Sequence, residues 1–147
     1  MIVAAQESGR INDPSRKYPG DVCIRAIDSE EGWEKAFEVR DKPVSYSDVQ
    51  IFAKKCIDMG VRSAAVVMVS RQQSTLDNAK LVQWASEFGI GLTLFYGWEP
   101  IVSQALFWSP DPLPVAARNA ARFIHDRLVS VEVAPETVAQ WQEATSS

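Results

Sequence analysis

Residues 64–69 (Ala-Ala-Val-Val-Met-Val) form the longest uninterrupted apolar run of the chain, and each neighbouring amphipathic stretch ends in a glycine. A short β-branched run bounded by such breaks reads as a central strand, buried on both faces, over Ser63–Ser70. Upstream, Val49, Phe52, Ala53, Cys56 and Ile57 recur at helical spacing and make one apolar stripe. Ser47 and Gln50 have the spacing of a capping box, and Gly60 stands where a helix ends in a left-handed residue. Downstream, Leu81, Trp84, Ala85 and Phe88 predict a second helix over about Leu76–Phe88 with these four as its buried stripe, capped by Ser74 or Thr75 and stopped at Gly89. Gly91–Tyr96 follows as another strand. A buried strand reached and left through helices requires parallel neighbours and right-handed crossovers.

The chain enters this unit through a different device. Val22, Ile24 and Ala26 alternate with Cys23, Arg25 and Ile27, a charged turn covers Asp28–Gly32, and a second strand ends in Ala36-Phe37-Glu38-Val39-Arg40. Pro43 closes that strand because its ring supplies no ladder donor. The predicted class is α/β: an antiparallel β-hairpin followed by βαβ units, giving a mixed sheet flanked by helices. Residues 9–20 lack periodicity and read as a loop. Beyond the sheet, Trp98–Trp108 is helical, with Pro100 tolerated in its first turn. Pro110, Pro112 and Pro114 stiffen a connection. Val115–Val129 is amphipathic with Phe123, Ile124 and Leu128 on one side, Val131–Val133 is extended, and Glu136–Ala144 is a last short helix.

The length fits a single domain over 1–147 with a real core. The apolar run is far too short to span a bilayer, and residues 1–20 lack a secretory signal pattern, so a cytoplasmic location without membrane attachment is expected. Cys23 and Cys56 fit no common zinc spacing and read as buried free thiols. The net charge of −4 is unlike that of most nucleic-acid binders. Its distribution is uneven. Residues 1–20 carry three basic and two acidic groups, residues 21–42 four basic and seven acidic, and the remainder eight basic and ten acidic. The acidity is therefore densest in the hairpin.

That hairpin brings Asp21, after Pro19-Gly20, near Glu38. Alternation places Glu38, Arg40 and Lys42 on one side of the strand, with Phe37 and Val39 turned into a core. Two carboxylates and a cation on one sheet face can hold a divalent metal against a phosphate. The same residues fit plainer roles, Asp21 as a turn acid and Glu38 as a solvent-facing edge residue. Arg10, Asn12, Ser15, Arg16 and Lys17 in the preceding loop offer cations, an amide and a hydroxyl, the groups used for phosphate and base-edge contacts. Gln50, on the polar face of the next helix, offers another.

The Pro19-Gly20-Asp21 and Glu38-Val39-Arg40 elements, on adjacent strands and followed by a helix and a further strand, resemble the PD-(D/E)xK nuclease superfamily. The phrases GRINDPSR, YPGDV and FEVRDKPV resemble those of SacI-type restriction endonucleases. The resemblance covers roughly residues 6–96. It implies a Mg²⁺-dependent endonuclease, with Mn²⁺ as a substitute, cutting duplex DNA and working as a homodimer. It further implies Asp21 and Glu38 as metal ligands, with Arg40 or Lys42 as the catalytic cation. Two departures stand out: Gly20 is inserted between the proline and the acid, and arginine replaces the usual lysine at 40. Arginine keeps its charge and cannot act as a base. Such nucleases usually begin with a helix before the hairpin, whereas only about eight residues precede the 9–20 loop, which suggests either a catalytic domain cut from a longer protein or a divergent short member. Glu7 is a candidate extra acid. The rival readings are a repair or junction nuclease of the same fold, a degraded module that binds DNA or protein without cutting, and a doubly wound small-molecule binder, for which a glycine-rich phosphate loop is lacking.

Overall fold

The apolar run becomes an internal strand of a sheet, fourth of five rather than the middle one expected, with a helical crossover on each side of it in sequence. The structure, a computed structural model, describes residues 2–6, 18–25, 32–130 and 134–146. Within Met1–Ile101, one compact unit, five strands pair in sequence order. They are β1 (Ile2–Gln6), β2 (Val22–Arg25), β3 (Lys35–Arg40), β4 (Ser63–Met68) and β5 (Gly91–Tyr96). β1–β2 and β2–β3 are antiparallel, while β3–β4 and β4–β5 are parallel. This is the mixed α/β sheet expected from the pattern. The residues ahead of the loop add a strand, β1, that was not expected from the pattern. Helices α1 (Tyr46–Asp58) and α2 (Asn78–Glu87) are the two crossovers.

Both helices cover the same face, as two right-handed crossovers advancing in one direction require. Val49, Phe52 and Cys56 of α1 and Leu81 and Ala85 of α2 pack with Cys23, Ala36, Ala64, Val66, Met68 and Leu92 in one cluster. Register aligns Ala36 with Ala64 and Glu38 with Val66. The helix-packed core therefore lies on the side of Ala36 and Glu38. Phe37 and Val39 point the other way and are only half-buried, which corrects the expectation that they would face the core. β4 is buried along both faces, with Ala65 and Val67 at 6% and 2% exposure.

Local details differ from the pattern where polar side chains compete for the same helix start. The α1 capping box is Ser45 with Asp48, not Ser47 with Gln50. Ser45 Oγ accepts from the Asp48 N–H, and Asp48 Oδ2 accepts from the Ser45 N–H at 2.8 Å. The Ser45 N–H and the Ser45 hydroxyl, both donating to Asp48 Oδ2, hold that carboxyl below its ordinary pKa. Asp77, rather than Ser74 or Thr75, caps α2. There Tyr96 Oη accepts from the Leu76 N–H and donates to Asn78 Oδ1, fastening the helix start to the end of β5.

Helix α3 (Trp98–Phe107) leads into a second compact unit, Val102–Ser147, with α4 (Leu113–Ser130) and α5 (Pro135–Thr145). Trp141 Nε1 donates to the Ala121 carbonyl and joins the last two helices. Phe123 and Ile124, on the apolar side of α4, are exposed. Val131–Val133 lies outside the described residues. Among the described residues no helix is long and apolar enough to cross a membrane.

Candidate metal and phosphate site

Burial falls steadily along β3 toward its carboxyl end. Ala36 is fully buried, the Glu38 side chain is 18% exposed and that of Arg40 45%. In sheets with helical crossovers, the carboxyl ends of the parallel strands are the usual place for a ligand. β2 runs the opposite way, so its amino end meets the carboxyl end of β3. Val22 pairs with Phe37, which sets Asp21 opposite Glu38 one step further along.

Gly20 makes this approach possible. A Cβ there would stand 2.6 Å from the Phe37 carbonyl oxygen, closer than real Cβ atoms come. Pro19 is fully buried beside it, and the Gly20 carbonyl accepts from the Cys23 thiol at 3.5 Å. The inserted glycine thus lets the chain press against β3. Asp21 then reaches the strand's backbone, and its Oδ2 accepts from the Val39 N–H at 2.8 Å. Asp21 is fixed from within the Glu38-Val39-Arg40 triplet itself.

Glu38 is held differently. Its Oε1 accepts from Arg40 Nη2 at 2.6 Å. Burial pushes the Glu38 carboxyl above its ordinary range, and the Asp21 charge pushes it the same way. Arg40 and, from α1, Lys55 pull it back. Lys55 had no signal in the sequence; its side chain is exposed, next to the buried Cys56.

Lys42 follows the end of β3 in a bend, is exposed, and forms no ion pair with either carboxylate. The alternation that would have aligned it with Arg40 has stopped by then. Gln50 is half-buried on α1, and no hydrogen bond joins it to Asp21 or Glu38. Glu7, Arg10, Asn12, Ser15, Arg16 and Lys17 lie outside the described residues. A further residue without a sequence signal is Gln73. Its Oε1 accepts from the Val44 N–H at 2.6 Å, and its Nε2 donates to the Val44 carbonyl at 3.0 Å. This pins the connection that follows the triplet, and loop contacts of that kind have no periodicity to betray them.

Beneath the site, Cys56 is buried and its thiol is pushed up to about 12, chiefly by burial, with Cys23 and Glu38 adding to the effect. Both cysteines are buried thiols, as their setting in the sequence suggested. A thiol so hard to ionise is no nucleophile.

Among the described residues no group of three or more His, Cys, Asp or Glu is arranged to hold a metal ion. The donors on hand are the two carboxylates. They fit a small hard cation that keeps most of its waters and takes one or two protein carboxylates plus substrate oxygens. A divalent charge between them would also relieve the repulsion that Asp21 exerts on Glu38.

No protein-family profile matches the chain. Over 145 residues it is 25% identical to the type II restriction enzyme SacI of Streptomyces achromogenes. That alignment takes in 97% of this chain and 40% of the enzyme, so the chain spans less than half the length of the relative it matches.

Proposed function

We propose that this chain carries the catalytic unit of a metal-dependent endonuclease of the type II restriction kind, with the PD-(D/E)xK arrangement and duplex DNA as substrate. The observation that carries the reading is the Asp21–Glu38 pair, set opposite each other at the carboxyl end of β3 with Arg40 on Glu38. Similarity to a type II restriction enzyme along nearly the whole chain supports it. Asp21 and Glu38 would hold Mg²⁺, or Mn²⁺ in its place. Such an ion, when bound, lowers the pKa of water and neutralises phosphate oxygens.

The protein's own groups supply the rest. The Val39 N–H orients Asp21, leaving Oδ1 free of that bond. Arg40 keeps a positive charge at every working pH, so its role is electrostatic stabilisation of the phosphate rather than base catalysis. It is preferred over Lys42 because it already pairs with Glu38. Partial burial of Glu38 lowers the local dielectric and strengthens each of these interactions. Two copies related by a two-fold axis would offer one site to each DNA strand.

The test is cleavage of supercoiled plasmid with Mg²⁺ by the full chain, beside Asp21→Ala and Glu38→Ala. Discrete fragments are expected from the parent protein. Each variant should lose activity by about 100-fold or more, the scale of removing one electrostatic contact to the transition state. Undiminished cleavage by Glu38→Ala would refute the assignment. Folded protein that binds DNA but cuts it with neither Mg²⁺ nor Mn²⁺ would favour a module that has lost catalysis.

A further inference from the structure

The two carboxylates of the site are held by different kinds of partner. Asp21 is anchored by a backbone amide that cannot leave without breaking β3. Glu38 is anchored by a guanidinium on a long side chain that is nearly half exposed. Among the described residues, Arg40 is the one cation in an ion pair with either carboxylate. Lys55 acts on Glu38 without forming such a pair.

Charge balance follows from this. Two ionised carboxylates beside one guanidinium leave a single negative charge in a partly buried place. A divalent cation placed on the same carboxylates would compensate them fully and would then repel the guanidinium at close range. Arg40 and the metal therefore compete for Glu38. The side chain has somewhere to go, since β3 ends at Arg40 and solvent lies beyond it. The Asp48 carboxylate at the start of α1 also lies within electrostatic reach of Arg40.

We propose that Arg40 is a built-in counter-ion for the metal position: it neutralises Glu38 while no divalent cation is bound, and a divalent cation displaces it from Glu38 and frees it to meet a phosphate. This rests on the metal-dependent reading of the site, and it gives the replacement of lysine by arginine a physical consequence. A guanidinium binds a carboxylate in a fixed planar geometry, so it is a firmer placeholder than an ammonium.

The experiment is a titration of the full chain with Mn²⁺ alone, followed by electron paramagnetic resonance at one fixed pH. It compares the parent protein with Arg40→Gln, Arg40→Met and Glu38→Gln. Both Arg40 variants should bind Mn²⁺ tighter, by about fivefold, the upper range for removing a partly exposed ion pair. Arg40 is exposed, and circular dichroism establishes that both variants fold. Unchanged or weaker Mn²⁺ binding in folded Arg40 variants overturns the proposal. If Glu38→Gln nevertheless loses affinity, the metal-site reading stands and only the counter-ion role falls. Equal, negligible binding by the parent protein and Glu38→Gln overturns both. A second readout is the Arg40 side-chain N–H signal in a nitrogen-edited NMR spectrum, identified by its loss in Arg40→Gln. It should move when Mg²⁺ is added, and a signal that stays in place overturns the displacement.

Discussion

Leu81 and Phe123 hold equivalent places in two amphipathic helices, yet Leu81 is fully buried and Phe123 is 69% exposed. The difference separates the two units. In Met1–Ile101, the helical stripes meet a sheet face that presents its own apolar residues, and the result is a shared core; Phe88, expected in the buried stripe of α2, lies just past the end of that helix and is 53% exposed. In Val102–Ser147, Ala116 alone is buried among the described residues, while Phe107 and Leu113 are 81% and 62% exposed. An apolar stripe states a demand for cover, and only a facing surface meets it. The site follows the same division. Its fixed groups belong to the sheet, where neighbouring strands determine position to a fraction of a residue.

The contrast can be broken most directly at Leu81. Leu81→Ala should destabilise the protein by about 2–5 kcal/mol, because α2 cannot collapse onto the vacated space. Denaturant unfolding measures it, and a loss like that of a surface substitution would mean that the core is not shared. Gly20→Ala comes next, at about 1–3 kcal/mol, since the obstacle is the Phe37 backbone rather than a side chain that can turn away. This variant should also weaken cleavage beyond its effect on stability, because Asp21 loses its place on Val39.

Glu38→Gln sharpens the comparison within the sheet unit. Burial raises the proton affinity of Glu38 in the folded state, so the folded protein favours the neutral acid. Below the unfolded value of about 4.3 both states are protonated and the variant gains little. As pH rises through the raised folded value, the ionised parent protein loses stability that the amide variant keeps. The stability gap, measured by unfolding at acidic and at neutral pH, should therefore widen in favour of Glu38→Gln as pH increases. A gap that closes over that range would contradict the assigned burial. The smallest effect belongs to the other unit. Phe123→Ala should stay within about 0.5 kcal/mol of the parent protein, as for a surface site. A loss of several kcal/mol would show that Phe123 is covered in solution.

Much of this was present in the residues themselves. The glycine stops at Gly60 and Gly89, the stripes before them and the run at 64–69 specified two helices and two parallel strands, because periodicity records which face must be hidden. The same alternation brought Asp21, Glu38 and Arg40 to one end of a hairpin. It could not say which face of β3 the helices would cover. That depends on the direction and handedness of two crossovers, and it places Glu38 against the core side, where Phe37 and Val39 had been expected. Nor could it supply Lys55, which reaches Glu38 across from another element, or the Gln73 clasp on Val44, which joins two loops. Gly20 lies between these cases. The sequence displayed it as an oddity, and its reason is the closeness of a backbone 17 residues away in the chain. Pattern along the chain determines what each segment must bury. Charge–charge proximity and backbone-to-backbone closeness are distances between segments, and only the tertiary structure sets them.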